Sequence, residues 1–218
     1  MEISNSNNVK KSLIDVNMGE KIINLLNEKY NEKFIIKKVA TQYGIGDFDN
    51  IRVICSPENN NEINFEITYN MVNEKIVDDE YYIKSTSNEL ENFIIKNLND
   101  SQKEAIVKVE IFGKRSLEKK YSVEEFISEY SSCNFLATIV IKENISEDEL
   151  NNVFQNLKNR YKNLYLKTLI YTVKQENFDI LYKQTKDFPS ISQTLIEENK
   201  PNNMHIIKIF NNEIIKIK

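Results

Sequence analysis

Between Ala105 and Val173 the chain changes its hydrophobic rhythm again and again, and this alternation restricts the fold more than any single residue does. The segments "AIVKVEIFG", "NFLATIVIKE" and "LYLKTLIYTV" are dense in the β-branched and aromatic residues that pack well on a pleated surface. Between them, "SVEEFISEYSS" and "SEDELNNVFQNLKNRY" carry helical patterns. The second helix has a marked start, because Ser146 can cap it and Glu149, three residues on, completes a capping box. Strands alternating with helices of this length imply βαβ-type crossovers. A short helix around "NFDILYKQTK", an irregular stretch around Pro189 and a final hairpin, "HIIKIFNNEIIKIK", turned at Asn211-Asn212, complete this half of the chain.

The preceding half has a different rhythm. "EKIINLLNEKY" sets Ile22, Ile23, Leu25, Leu26 and Tyr30 near one face, which predicts a helix over 17–31. "KFIIKKVATQYG" and "IRVICSP" read as strands, the second ended by Pro57 and a triple Asn. "EINFEITYNMV" alternates Ile63, Phe65, Ile67 and Tyr69 on one side, the signature of a half-buried antiparallel strand. A helix packed on a three-stranded meander follows. "DDEYYIKSTSNELENFIIKNLN" predicts a second helix, with apolar Tyr82, Leu90, Phe93, Ile94 and Leu98 and a candidate break at its Ser-Thr-Ser middle. The expectation is an α+β protein: a polar N-terminal segment (1–16), a helix-plus-antiparallel-meander module (17–100), and a mixed α/β module ending in a β-hairpin (101–218).

Several function classes are disfavoured. The net charge is −4 with Lys, Asp and Glu interspersed, so no basic stripe is set to neutralise a run of phosphates, and nucleic acid is not an expected partner. The largest basic cluster, Lys114-Arg115 with Lys119-Lys120, reads as a solvated loop. The one histidine, His205, is too few for zinc sites that need several imidazoles, and at a strand start it reads as structural. Cys55 and Cys133 lie far apart in apolar surroundings, as two free buried thiols or one disulfide, the free form being preferred. No run is apolar and long enough to span a bilayer, and the chain reads as a cytoplasmic protein or as the extracellular part of a secreted or lipid-anchored one.

The most suggestive motif is Gly44-Ile45-Gly46 in "TQYGIGDFDNIRVICSP". A dinucleotide fingerprint needs a third glycine and a helix start that receives the pyrophosphate. Here Asp47 and Asp49 bring negative charge and a strand follows, so a hairpin loop is the better reading. The acidic "VDDEYY" lacks the alternating donors, glycine and terminal Glu of a calcium loop, and fits acidic residues at a helix start. Glu124-Glu125 and Glu197-Glu198 are acid–base candidates only as any carboxylate is. No catalytic, metal or cofactor constellation is assigned, and no cofactor is expected.

The stretches "LLNEKYNEKFIIKKV", "YGIGDFDNIRVICSPENNNEINFEITY", "VDDEYY" and "LKNRYKNLYLKTLIYTV", about half the chain, resemble small uncharacterised lipoprotein-like or immunity/accessory-type proteins of Gram-positive, clostridial-type bacteria. The abundant Asn and the excess of Lys over Arg agree with an AT-rich coding genome. No lipobox cysteine accompanies the resemblance. It implies a binding or scaffolding role outside the membrane. The leading expectation is a non-enzymatic protein-binding module, such as an immunity or accessory protein, with a proteinaceous partner, for which Tyr43, Phe48 and Tyr81 are candidate aromatic anchors, each alternatively a core residue. The competing expectation is a small-ligand or substrate-binding protein, including a degenerate hydrolase, with a pocket between the two modules. A concave pocket with convergent polar groups and perturbed carboxylates would favour the second; a shallow surface with an exposed aromatic patch would favour the first. A structural role in an assembly, through a free sheet edge, is a third.

Overall fold

A computed structural model describes residues 16–40, 49–100, 104–114, 116–142 and 145–217. Helix α1 (Val16–Tyr30) buries Ile22 and Leu26, four residues apart, with Met18, Ile23, Leu25 and Tyr30 packed beside them. It ends at Asn31, whose left-handed φ of 52° turns the chain, and the Asn27 side chain then accepts the Phe34 N–H at 3.1 Å. Strands β1 (Phe34–Ala40), β2 (Asn50–Pro57), β3 (Phe65–Asn70) and β4 (Lys75–Asp79) follow in antiparallel order β1-β2-β3-β4. Ile63, Phe65, Ile67 and Tyr69 are all buried, as their alternation requires.

The meander therefore has four strands where three were expected, because "EKIVDD" belongs to the sheet rather than to the next helix. The physical reason lies in the turn. Asn70 accepts the N–H groups of Val72 (3.1 Å) and Asn73 (2.8 Å), and Glu74 takes a φ of 51°, so local turn chemistry folds back an edge strand with almost no hydrophobic pattern.

Helix α2 (Tyr81–Asp100) is continuous through its Ser-Thr-Ser stretch. Two of those hydroxyls find partners that leave the helix intact: Ser87 donates to Lys84 O (3.1 Å) and Thr86 to Tyr121 O (3.0 Å). At its start Tyr81 belongs to the core of the first sheet, and further along Ile83, Leu90, Ile94 and Leu98 belong to the core of the second.

That second sheet runs β5 (Ala105–Phe112), β6 (Asn134–Lys142), β7 (Leu166–Val173), β8 (Asn203–Phe210) and β9 (Glu213–Ile217), in that order. Only β6 and β7 are parallel, and α4 (Glu147–Arg160) makes their crossover; α3 (Val123–Glu129) joins antiparallel neighbours instead. The Ser146–Glu149 capping box is formed in both directions. Helices α5 (Gln175–Thr185) and α6 (Gln193–Glu198) cover the opposite face, where Phe178, Leu181 and Ile196 meet Ile106, Val140 and Tyr171. Asn211 (φ 50°) and Asn212 (φ 59°) form the tight final turn with the left-handed pair that a type I′ hairpin needs. Cys55 and Cys133 are free, buried and in separate cores.

Candidate functional site

The segment between α5 and α6 ties the two sheets together. Asn64, just before β3, donates to Lys186 O at 3.0 Å, and the Lys38 ammonium lies 4.1 Å from the centre of the Phe188 ring. Lys84 of α2 donates to Pro189 O at 2.9 Å. Beside these ties a cleft of about 660 Å³ opens, walled by Glu66 of β3, Glu80 at the β4–α2 junction, Ile83, Lys84 and Ser87 of α2, the β5 edge from Val109 to Lys114, and Pro189-Ser190. Its volume lies within the range of small-ligand sites.

Lys84 and Glu91 form a buried ion pair at 2.5 Å, their side chains 5% and 4% exposed. Lys84 Nζ also donates to Val109 O (3.2 Å), and Glu91 Oε1 accepts the Val109 N–H (2.7 Å). With the bond to Pro189, all three ammonium protons are committed. β5 is an edge strand, so the pair satisfies one residue of that edge as a neighbouring strand would.

The carboxylates around the cleft are perturbed. Burial pushes Glu80 up to about 7, helped by the negative charges of Glu66, Asp78 and Glu110 against the opposing Lys84 ammonium. Burial also raises Glu66, although Arg52 lies 3.5 Å away, and it raises Glu110, with Lys84 opposing. On β5 beside Glu110, Lys108 is held below the usual lysine range by desolvation, which the nearby Glu91 offsets in part. Among the described residues no group of three or more His, Cys, Asp or Glu side chains is placed to hold a metal ion.

The candidates read from sequence fare differently. Tyr81 is 2% exposed: its ring packs edge-on to Tyr30 and Phe34 at 4.8 and 5.0 Å, and its hydroxyl donates to Glu32 at 2.8 Å, so it is a core residue and not an exposed anchor. Tyr43 and Phe48, with both glycines of Gly-Ile-Gly, lie outside the described residues. Asp79 of "VDDEYY" is buried; it accepts from Tyr30 and from Lys29 (2.5 Å) and caps the start of α2 through the Tyr81 N–H (3.3 Å). Glu124 pairs with Arg160 at 2.8 Å, and Glu125 closes the capping box of α3. Glu197 accepts from Gln193 one turn back. His205 sits in β8 opposite Ile170.

Glu66, Glu80, Lys84, Glu91 and Glu110 were missed. The signal for two of them was present: Lys84, Ser87 and Glu91 fall at i, i+3 and i+7, on the helical stripe that continues as Ile94 and Leu98. Charges on a stripe that becomes apolar mark a buried polar contact.

The fold thus defines an α+β protein of two sheets with an acidic cleft at their seam. No family profile matches the chain, and no curated protein does. Among solved structures it is similar to a DUF5037 family protein from Ruminococcus gnavus ATCC 29149, a Gram-positive bacterium of the clostridial type. That likeness has a TM-score of 0.72 at 15% identity over 90% of this chain and 94% of the other, and it concerns the fold.

Proposed function

We propose that the chain is a non-enzymatic binding protein that receives a cationic group in the seam cleft. The observation that carries this reading is the convergence of Glu66, Glu80 and Glu110 on a cleft with two lining lysines, of which Lys84 has all its protons committed elsewhere and Lys114 lies against the Tyr130 ring. Burial raises all three carboxyls, and Glu80 is raised further by the charges of Glu66 and Glu110, a strain that a positive charge placed among them relieves. Ser87, the hydroxyl on the cleft wall from α2, bonds back to its own helix. The ligand-binding expectation, with its pocket between the modules, is thereby favoured over recognition by a flat aromatic patch. An immunity or accessory setting is served by the same cleft where a protein carries the cation.

Titration with spermidine, followed calorimetrically and by amide shifts at low salt, tests the reading. With Glu80 at about 7, its ionised fraction falls about tenfold from pH 8 to pH 6, so affinity falls by a comparable factor. Glu80→Gln with Glu110→Gln abolishes it. Shifts of cleft residues with citrate but none with spermidine would refute the reading.

A further inference from the structure

We propose that the cleft is a lane for an extended basic peptide segment, which pairs as a strand with β5 at Ile111 and sets a Lys or Arg side chain among Glu66, Glu80 and Glu110. This rests on the cation-binding reading above and adds the nature of the ligand that carries the charge.

The backbone decides the direction of Ile111. Phe135 of β6 donates its N–H to Tyr165 O at 2.9 Å, on the β7 side of the sheet, whereas Lys142 donates to Glu104 O at 3.2 Å, on the β5 side. Odd-numbered residues of β6 therefore turn their N–H groups away from β5. Ile111 faces Phe135 and Val109 faces Ala137, so both pairs are of the non-hydrogen-bonded kind, and the N–H and C=O of Ile111 and Val109 point outward. The bonds of Val109 to Glu91 and Lys84 agree with this parity. The chain supplies its own partners for Val109, and two residues further along the same edge Ile111 opens onto the cleft.

The form of the cleft suits a strand better than a small ion. Its β5 wall is continuous from Val109 to Phe112 within the strand, about 10 Å at the usual rise per residue. Phe112, 51% exposed, stands at the end of that run and offers an apolar contact to one side chain of the added segment. Lys114, the cation further along, has its ammonium 5.0 Å from the centre of the Tyr130 ring. The three lining glutamates outnumber the two lining lysines, of which Lys84 is paired with Glu91. Strand addition of this kind takes affinity from main-chain bonds and specificity from the side chains that alternate along the segment.

The probe is an acetylated and amidated hexapeptide of alternating Lys and Val, compared with the same peptide N-methylated at its central residues, with a Glu/Val counterpart and with free spermidine. The Lys/Val peptide is expected to bind at pH 8, to slow hydrogen exchange of the Ile111 amide at least tenfold, and to lose at least tenfold in affinity on N-methylation. The Glu/Val peptide is expected not to bind. Equal affinity of the N-methylated peptide, or unchanged exchange at Ile111, overturns the strand lane while spermidine binding keeps the cation reading intact. Failure of both spermidine and peptide overturns both. Protection of Ile111 in the protein alone that rises with its concentration overturns the proposal in favour of a second copy of the chain.

Discussion

Replacing Lys84 with Met is the sharpest perturbation of the seam, because it removes one half of a buried pair and leaves the other charged. Glu91, 4% exposed, then sits in the core without a counter-charge, and Val109 O and Pro189 O lose their donor. Breaking such a pair costs about 3–5 kcal/mol. For a chain of this size that corresponds to a fall in Tm of roughly 6–20 °C, at about 2–4 °C per kcal/mol. The informative variant is the double change, Lys84→Met with Glu91→Leu. A simple buried ion pair exchanged for apolar residues is often neutral or better. Here the double variant also strips both backbone groups of Val109, each costing about 1–3 kcal/mol when left buried and unpaired, so with the exchange itself neutral a net loss of about 2–6 kcal/mol is expected. Urea unfolding followed by circular dichroism measures the parent and both variants, and hydrogen exchange at Val109 reports the edge directly. A double variant within about 1 kcal/mol of the parent would show that the β5 edge does not depend on the pair, and the strand-substitute argument would fail.

Three further outcomes follow from the same geometry. Glu80, raised to about 7 in the folded chain from an ordinary carboxylate value near 4.5, holds its proton more tightly when folded, so stability falls as pH rises through that window. Glu80→Gln is expected to flatten the Tm profile between pH 5 and 8 and to exceed the parent above pH 7; parallel profiles would count against it. Tyr81→Phe removes the bond to Glu32 and costs about 1 kcal/mol, whereas Tyr81→Ala empties the aromatic cluster at about 3–5 kcal/mol; equal losses in urea unfolding would contradict the packing described. Burial pushes the Cys55 thiol up to about 12 and raises Cys133, so at pH 8 a thiol reagent should modify neither quickly in the native protein and both in denaturant; rapid native labelling of Cys55 would refute its burial.

What could be read from the sequence was local, and what could not was tertiary or nearly patternless. The Ile63–Tyr69 alternation, the Ser146–Glu149 box and the Asn211-Asn212 turn each state their geometry within a few residues. Strand β4 does not: Val77 is exposed and only Ile76 packs against the core ahead of Asp79, so nothing in "KIVDD" separates an edge strand from the acidic start of a helix. The direction of β6 relative to β5 was also hidden, since a helix between two strands permits either sense, and only the β6–α4–β7 unit crosses over.

The cleft shows the same division within a single helix. Glu66, Glu80 and Glu110 come from three separate places in the chain and share no pattern that would gather them. Lys84 and Glu91 do share one, and it contradicted the helix around it: a largely polar "KSTSNELE" run occupies the stripe that later holds Ile94 and Leu98. Taken as a weakness, that run predicted a break. In the folded chain it is where one helix leaves the first core and enters the second, and burial there can be met only by side chains able to bond a strand edge and a crossing loop together. A local inconsistency that persists in a folded chain is compensated by tertiary contacts, and such places are where function tends to be found. In this chain the compensation caps Val109 and stops one step short of Ile111, at the wall of the cleft.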